Sequence, residues 1–457
     1  MPAANALPDD EALAALRFAA DPLADDTVAA MLGPWPENEA DNLLRLAAAN
    51  RAIASWKRNA DLVQWQAPAG TPEAVATALS GYVLAAQTLP AWADAALIRR
   101  AEQLFFDDGL LSCTLLFCAS LPECYVLPDL AEVLQTTGQL EQRTEHRIRA
   151  TAAMIFPVML EGGLTAPEGG GVAQVLKVRL IHAIVRHLVL RGRPAATLNA
   201  GVPVPPRAAN RQSMHTALLA HGWDTPAAGL PCNQLELAYT LLTFGYVQVR
   251  GMQTLGVPLD GDDARAVLHA WNVVGHLVGI PQASMVHDVP AAAALFERIQ
   301  VQGRQHQPQP DPRPALARAL IDTMAQALPL RLLRPLPVLL TRLLCGSAAR
   351  SDLGLNQQVP WLARAAFTLG FCLVRGIDAI GRSIRPGFSI ARLVTRVLGA
   401  HLLTRLLMDQ TRPLMLPEHL LAPSRKAMAA WQEDRQAPRW LHRIEGRFTG
   451  AGPGSGR

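Results

Sequence analysis

Four basic side chains stand close together in one apolar stretch of the chain, KVRLIHAIVRHLVLRG, which covers residues 177–192. They are Arg179, His182, Arg186 and His187, and the stretch holds no carboxylate that would pair with them. On a helix, side chains three and seven residues apart share a face, so the two arginines and His182 should line one stripe, while His187 points elsewhere. A neighbouring apolar stripe is predicted to face the core and contains Val178, Ile181, Val185 and Leu188.

An imidazole between two guanidinium groups suits a particular chemistry. A neutral imidazole is a good ligand for haem iron, and a guanidinium group binds a carboxylate such as a haem propionate in a fork. Ala183, next to His182, should leave space for a large flat group. The alternative is a histidine that faces solvent or is satisfied internally beside surface arginines, and this helix alone favours that alternative.

The motifs on both sides of this helix resemble, in the same order, those of the latex-clearing-protein or rubber-oxygenase family. The pattern Arg179-xx-His182-xxx-Arg186-His187 is similar to the signature helix of that family. Four other stretches extend the resemblance over about residues 90–360, namely YVLPDLAEVLQTTGQLEQRTEHRIRAT upstream, and HGWDTPAAGLPCNQLELAYTLLTFGYVQVRGMQTLGVPL, HAWNVVGHLVGIP and GSAARSDLGL downstream. Five motifs in order indicate the family more strongly than any one of them does.

The resemblance implies an all-α oxygenase that binds haem b and uses dioxygen. His182 matches the proximal iron ligand of the family, and Arg179, Arg186 and His187 match residues of the same helix that hold the cofactor. The implied substrate is an apolar small molecule or lipid, of isoprenoid type. Two alternatives stay open: a haem-binding sensor or carrier without catalytic turnover, and a structural helical protein without haem.

The resemblance also assigns three residues upstream of this helix. Arg147 and Thr151 match distal-side or pocket-shaping positions, and Glu132 lies where the family can place a carboxylate proposed as general base. Each of these residues also has a structural alternative, which for Glu132 is a solvated position on a helix. The sequence departs from the family at Ala150, which occupies the position of a distal lysine. Because a methyl group cannot ligate iron, the resting ferric iron is expected to be five-coordinate or to hold water.

Composition predicts the elements that must position these residues. The chain has 457 residues, half of them apolar and only 5% aromatic, and apolar clusters recur at spacings of three, four and seven. This pattern predicts an all-α, multi-helix globular bundle with the haem pocket between central helices. Four parts are expected: an N-terminal helical layer (1–90), an oxygenase core (91–300), a basic helical region packed on the core (301–450) and a disordered tail (451–457).

Several other classes of function lack their motifs. The sequence contains no GxSxG, no Walker loop and no GxGxxG that opens a strand-to-helix turn. None of the six cysteines forms a CxxC pair, which predicts reduced and mostly buried thiols. The N-terminal stretch MPAANALPDDEALAALRF is acidic and has no basic region followed by an apolar one, so a cytoplasmic location is expected.

Charge is distributed unevenly along the chain. From Val301 to Arg457 there are 22 Lys and Arg against 9 Asp and Glu, a surplus of 13, although the whole chain carries only +4. The arginines stand in apolar stretches such as SIARLVTRVLGAHLLTRLL, which indicates peripheral contact with an anionic inner membrane, with an ordinary Arg-rich surface as the alternative. Aromatic residues are not interleaved with these charges, so we do not expect nucleic acid as a partner.

Overall fold

The computed structural model describes residues 7–384, with gaps at 36, 137–138, 209–212, 329–330 and 357–358. The secondary structure of the described residues is helical, with one isolated antiparallel bridge between Val204 and Trp223. The prediction of an all-α protein is therefore confirmed. The proposed boundaries at 90, 300 and 450 stay predictions, and the predicted tail 451–457 lies outside the described residues.

The N-terminal layer consists of four helices and a 3-10 turn. In chain order they are α1 Asp10–Leu16, α2 Pro22–Met31, α3 Glu39–Ile53, the 3-10 turn Asn59–Leu62 and α4 Glu73–Ala86. Helix α2 begins where an extended Asp21 precedes Pro22 at the first helical position. Proline is favoured there because its missing N–H would have no partner within the helix.

The next helices carry the predicted site residues. They are α5 Ala95–Asp107, α6 Gly109–Leu115, a π-helical turn Leu116–Ser120, α7 Leu121–Glu123, α8 Pro128–Thr136, α9 Gln139–Met159 and α10 Gly171–Leu190. The apolar spacing of the sequence predicts one long helix from Trp92 to about Ser120, but the chain turns by 89° between α5 and the helical segment that follows it. Asp108 leaves the helical conformation at this corner, with φ −108° and ψ 29°.

Helix α10 is held in place at its N-terminus by a residue far away in the sequence. The side-chain oxygen of Asn59 accepts the amide of Val172 at 3.0 Å, and its NH2 group donates to the carbonyls of Gly163 and Ala166 at 2.9 Å each. The loop before α10 folds tightly, since a Cβ on Gly163 would lie 2.2 Å from a backbone oxygen. The helix ends at Arg191, which adopts the left-handed conformation. The sequence predicts the same limits, since the glycine-rich loop EGGLTAPEGGG precedes the helix and Gly192 and Pro194 follow it.

Helix α10 lies at the centre of the fold. The helices that follow it are α11 Pro194–Ala200, α12 Met214–Ala220, α13 Thr225–Ala228, α14 Gln234–Phe244, α15 Tyr246–Thr254, α16 Gly261–Val278, α17 Val289–Gly303, α18 Arg313–Ala327, α19 Leu336–Leu344, α20 Gly346–Asp352 and α21 Trp361–Ile384. Helix α10 packs against α2, α9, α12 and α16. The stretch NQLELAYTLLTFGYVQVRGMQTLG, residues 233–256, predicts a single helix. The structure divides it at Gly245, where a Cβ would lie 3.3 Å from the Trp271 side chain.

Among the described residues, no single helix is long and apolar enough to cross a membrane, and one helix pair that passes by length and composition is bent by 89°. Helix α21 leaves several large apolar side chains exposed: Trp361, Leu362, Leu369 and Leu373. The Arg-rich stretch that begins at Ser389 lies outside the described residues. Contact with an anionic membrane and a cytoplasmic location both stay predictions.

A buried polar network fastens the short helix α7 to the helices around it. The carboxylate of Glu123 accepts a hydrogen bond from Arg250 at 2.7 Å and another from Gln300 at 3.1 Å. Tyr239 donates its hydroxyl to the Glu123 carbonyl at 3.0 Å. Glu123 has no solvent exposure, so its charge depends on these partners.

We therefore expect Arg250→Ala to lower the free energy of unfolding by about 3–5 kcal/mol, because it leaves a buried carboxylate without its cation. Glu123→Gln in the same background should recover part of that loss. Arg298→Ala is the matched control, since the Arg298–Asp10 pair is solvent-exposed and should contribute less than about 1 kcal/mol. Urea unfolding measures all of them, and equal losses for the Arg250 and Arg298 variants would contradict the prediction.

Candidate functional site

The apolar stripe predicted on α10 faces the core only in the C-terminal half of the helix, where Val185 and Leu188 are buried. The arginine stripe is turned inward against α2, and Arg186 is 0% exposed. Ile181, predicted to face the core, is 40% exposed, and Val178 is half-buried. The prediction of a core-facing apolar stripe was therefore wrong for the N-terminal half of the helix. The physical reason is that the arginines find carboxylates on another helix, and such pairs can be buried.

Arg179 is held by Asp21, the residue that precedes α2. The guanidinium group donates from Nε at 2.6 Å and from Nη2 at 2.7 Å to the two carboxylate oxygens. Its Nη1 donates to the Leu277 carbonyl at 3.3 Å, near the end of α16. At Gly279, with φ +92°, a Cβ would come within 2.6 Å of the Asp21 carboxylate. This pair thus joins α2, α10 and the end of α16.

Arg186 and His187 meet the second carboxylate of α2, Asp25. Nε of Arg186 lies 2.9 and 3.2 Å from the two oxygens of Asp25, and Nη1 donates to the Cys232 carbonyl at 2.6 Å. His187 Nε2 lies 3.7 Å from Asp25. Burial raises the pKa of Asp25, while Arg186 opposes that shift. Burial, reinforced by the charges of Arg186 and Arg193, lowers the pKa of His187 to about 3, so His187 is neutral.

His182 differs from Arg179 and Arg186 because its imidazole has no hydrogen-bond partner among the described residues. Nδ1 is buried without a hydrogen bond, and neither ring nitrogen bonds to any residue that the structure describes. Burial, reinforced by the charge of Arg186 and opposed by Asp21, lowers the pKa of His182 to about 4. The ring is therefore neutral near pH 7 and keeps a free nitrogen lone pair. It is half-buried overall, so part of the ring is accessible.

The accessible side of α10 begins at His182 and continues over Val178 and Ile181 to Lys177. Burial, reinforced by the charge of Lys57 and opposed by Asp61, lowers the pKa of Lys177 to about 8. Lys177 makes no ion pair with the described part of the chain. Ala183 is 0% exposed, so the expectation of free space beside it was wrong. The accessible surface next to the imidazole is instead formed by Val178 and Ile181.

The three predicted residues on the other helices lie on neighbouring elements, since α8 packs on α9 and α9 packs on α10. Thr151 is half-buried and Ala150 is exposed on α9. Arg147 belongs to the same helix, but its side chain lies outside the described residues. Glu132 of α8 is half-buried, with Oε1 3.3 Å from Nε2 of His221. The functional roles of Arg147, Thr151 and Glu132 stay predictions.

The comparison with known families agrees with this arrangement of helices. The family described as ER-bound oxygenase mpaB/B'/Rubber oxygenase, catalytic domain, matches residues 114–378, which is more than half of the chain. The chain belongs to this family. The predicted resemblance is confirmed, and so is the prediction that the protein is an oxygenase. The match includes α8, α9 and α10 but begins well after α2.

Two individual proteins extend the comparison. A rubber oxygenase from Streptomyces sp. (strain K30) is 26% identical over 366 residues, which cover 76% of this chain and 79% of the relative. The solved structure of the latex clearing protein LCP in the closed state aligns with a TM-score of 0.62 and 22% identity, over 88% of this chain and 92% of that one. The structural likeness shows that the two chains share their all-α fold.

The carboxylates Asp21 and Asp25 were missed by the reasoning from sequence. They stand in the segment DPLADD, 158 and 161 residues before the arginines that they bind. One signal was present, because arginines in an apolar helix without acids need carboxylates from elsewhere. Nothing in the sequence selects DPLADD over the other acidic segments, so only the fold identifies the partners.

The lowered pKa of His182 predicts a pH dependence of stability in the haem-free protein. The unfolded imidazole gains its proton near pH 6.5, whereas the folded one stays neutral down to about pH 4. Stability should therefore decrease as pH falls through this window. His182→Gln should reduce the slope by up to one proton, about 1.4 kcal/mol per pH unit. Urea unfolding between pH 7 and pH 4.5 measures the slopes, and identical slopes would contradict the assignment.

Proposed function

We propose that this protein is a haem-b-dependent oxygenase with His182 as the iron ligand. The observation that carries the proposal is the neutral, half-buried imidazole of His182, whose nitrogens find no partner in the described protein. An imidazole nitrogen that no side chain or carbonyl engages keeps its lone pair for a bound group. The family to which the chain belongs consists of oxygenase catalytic domains, and His182 lies within the matched residues.

The residues around His182 fit a haem group in their chemistry. A neutral imidazole supplies the lone pair that iron requires. Val178 and Ile181 offer apolar contact to a porphyrin face, and Lys177 is a cation without an ion pair on the same side. When bound, haem supplies the activation of dioxygen that oxygen transfer to carbon requires. Arg179 and Arg186 donate to Asp21 and Asp25, so we assign them to holding α10 rather than to the propionates.

The proposed substrate is an apolar, isoprenoid-type molecule. This assignment rests on the relative that is named a rubber oxygenase and on the apolar surroundings of the accessible face of α10. On α9, Ala150, Thr151 and Met154 share an accessible side that we place opposite His182. Small and apolar side chains there would exclude water and admit a flexible hydrocarbon chain. Thr151 would contribute a hydroxyl group to this side of α9.

Glu132 completes the proposal as the candidate general base. Its carboxylate lies 3.3 Å from the His221 imidazole, which holds it in one orientation. A carboxylate that accepts a proton must lie within hydrogen-bond reach of the substrate carbon that loses it. We also propose that the protein works in the cytoplasm and touches the anionic inner membrane peripherally, in keeping with the surplus of 13 positive charges after residue 300.

The iron-ligand assignment is tested by His182→Ala. The purified variant should lose most of its bound haem, seen as loss of the Soret band after reconstitution, because His182 is the neutral imidazole on the accessible side of α10, whereas His187 is 2% exposed. Far-ultraviolet circular dichroism should stay close to wild type. His276→Ala is the matched control, since His276 is exposed on α16 and should leave haem binding unchanged. Full haem with an unchanged spectrum in His182→Ala would overturn the assignment.

The wild-type protein separates the proposed function from its alternatives. Haem binding together with oxygenated products from polyisoprene or a shorter isoprenoid under dioxygen would support the oxygenase. Haem binding without products from any isoprenoid would favour a sensor or carrier. Absence of a Soret band after reconstitution of the wild-type protein would leave the haem-free structural role.

A second prediction concerns the side of α9 that carries Ala150. If this side faces the iron, Ala150→Lys brings an amine near it, and the fraction of neutral, ligating amine increases as pH rises. The variant should change towards a six-coordinate spectrum as pH rises, and cyanide should bind more slowly. Resonance Raman spectra across pH measure the change. Spectra identical to wild type would remove Ala150 and Thr151 from the proposed pocket.

A further inference from the structure

We propose that Asp21 and Asp25 are positioning residues for His182: as a carboxylate clamp on α10, they set the rotation and the height of this helix and so aim the imidazole. The proposal rests on the proposed function, in which His182 binds iron. The clamp, defined as Asp21 and Asp25, belongs to the α2 segment and lies outside the residues matched by the family, 114–378. It is therefore a contribution of the N-terminal layer to a helix of the catalytic domain.

The two ion pairs lie on either side of His182 along the helix. Arg179 precedes His182 by three residues, about 4.5 Å of helix rise, and Arg186 follows it by four, about 6 Å. Asp21 binds Arg179 through a two-atom fork, and Asp25 accepts from Arg186. A helix that is held on both sides of a residue cannot slide or rotate there without breaking a pair.

The clamp is a coupled unit that is closed off from water. Asp21 is 2% exposed, and its backbone amide donates to the Asp25 carboxylate at 3.0 Å. Gln234 donates to the Ala20 carbonyl at 2.9 Å and to the Gly279 carbonyl at 3.0 Å, which ties α14 and α16 to the same place. Removing one partner of a buried pair leaves an uncompensated charge, so alternative positions of α10 are strongly disfavoured.

His182 needs such a clamp because no hydrogen bond to a described residue orients its ring. A histidine that ligates a metal usually donates its other nitrogen to a carbonyl or carboxylate, and that hydrogen bond fixes the ring. Nδ1 of His182 makes no such bond with the described residues. The direction of the imidazole is therefore set by the backbone that carries it. Apolar contacts alone would allow small rotations of α10, whereas forked arginine–carboxylate geometry does not.

The experiment compares Asp21→Asn and Asp25→Asn with a matched control, Asp263→Asn, in the haem-reconstituted full-length protein. The control removes an equally forked interhelical pair, Arg100–Asp263, with distances of 2.6 and 2.8 Å. We expect each clamp variant to release haem to apomyoglobin about 10-fold faster, and its iron–histidine stretching band to shift or broaden. The control variant should match wild type. The double variant Asp21→Asn, Arg179→Gln should release haem no faster than either single variant, because the two changes disrupt the same ion pair.

A second pair of proteins separates positioning from general stability. In His182→Gly supplied with free imidazole, the ligand is no longer attached to α10, so adding Asp21→Asn should leave haem release unchanged. Haem release that Asp21→Asn accelerates equally in both backgrounds would overturn the clamp, because the carboxylate would then act on the fold alone. Clamp variants that match wild type would overturn it as well. Full haem retention in His182→Ala would instead overturn the proposed function, and the clamp with it.

Discussion

The pairing of two arginines with two carboxylates across the α2–α10 contact decides where the central helix sits. Arg186 is fully buried and Arg179 nearly so, and a buried guanidinium group is tolerable only when a carboxylate and carbonyls satisfy it. Asp21 and Asp25 are four residues apart, one helical turn, so both can reach α10 from one end of α2. The apolar packing around α10 follows from this geometry, because the charged side of the helix must face α2.

The helix class and the limits of α10 could be predicted because their signals are local. A glycine-rich loop precedes the helix, and Gly192 and Pro194 follow its end. The breaks at Asp108 and Gly245 could not be predicted in the same way. Apolar spacing continues through both corners, and a turn there depends on neighbours that are distant in sequence, such as Trp271 against Gly245. Periodicity indicates that helices form and leaves open where tertiary contacts divide them.

The candidate site could likewise be predicted only as far as its signals are local. His182 and its flanking arginines are visible in the sequence because they share one helix and one spacing. Their orientation is not visible, because a stripe of arginines can face solvent or a distant carboxylate with equal local propensity. In the folded protein the arginines pair with the carboxylates of Asp21 and Asp25, and this orientation of α10 places Val178 and Ile181 on its accessible side. An apolar accessible surface beside an unpartnered imidazole is what distinguishes this helix from a solvated arginine face.

The absence of a hydrogen bond to Nδ1 has a consequence for the chemistry of the proposed ligand. In metal sites, a carboxylate or carbonyl at this nitrogen raises the basicity of the imidazole and strengthens its donation to the metal. His182 lacks that partner among the described residues, and Asp21, whose carboxylate would favour positive charge on the ring, is engaged by Arg179. Arg186 acts on the ring with the opposite sign. His182 should therefore donate its lone pair to iron as a neutral imidazole, and the opposing charges of Arg186 and Asp21 should adjust the strength of that donation. Asp21 thus has two effects on His182: as part of the clamp it positions the ring, and its negative charge adjusts the basicity of the imidazole.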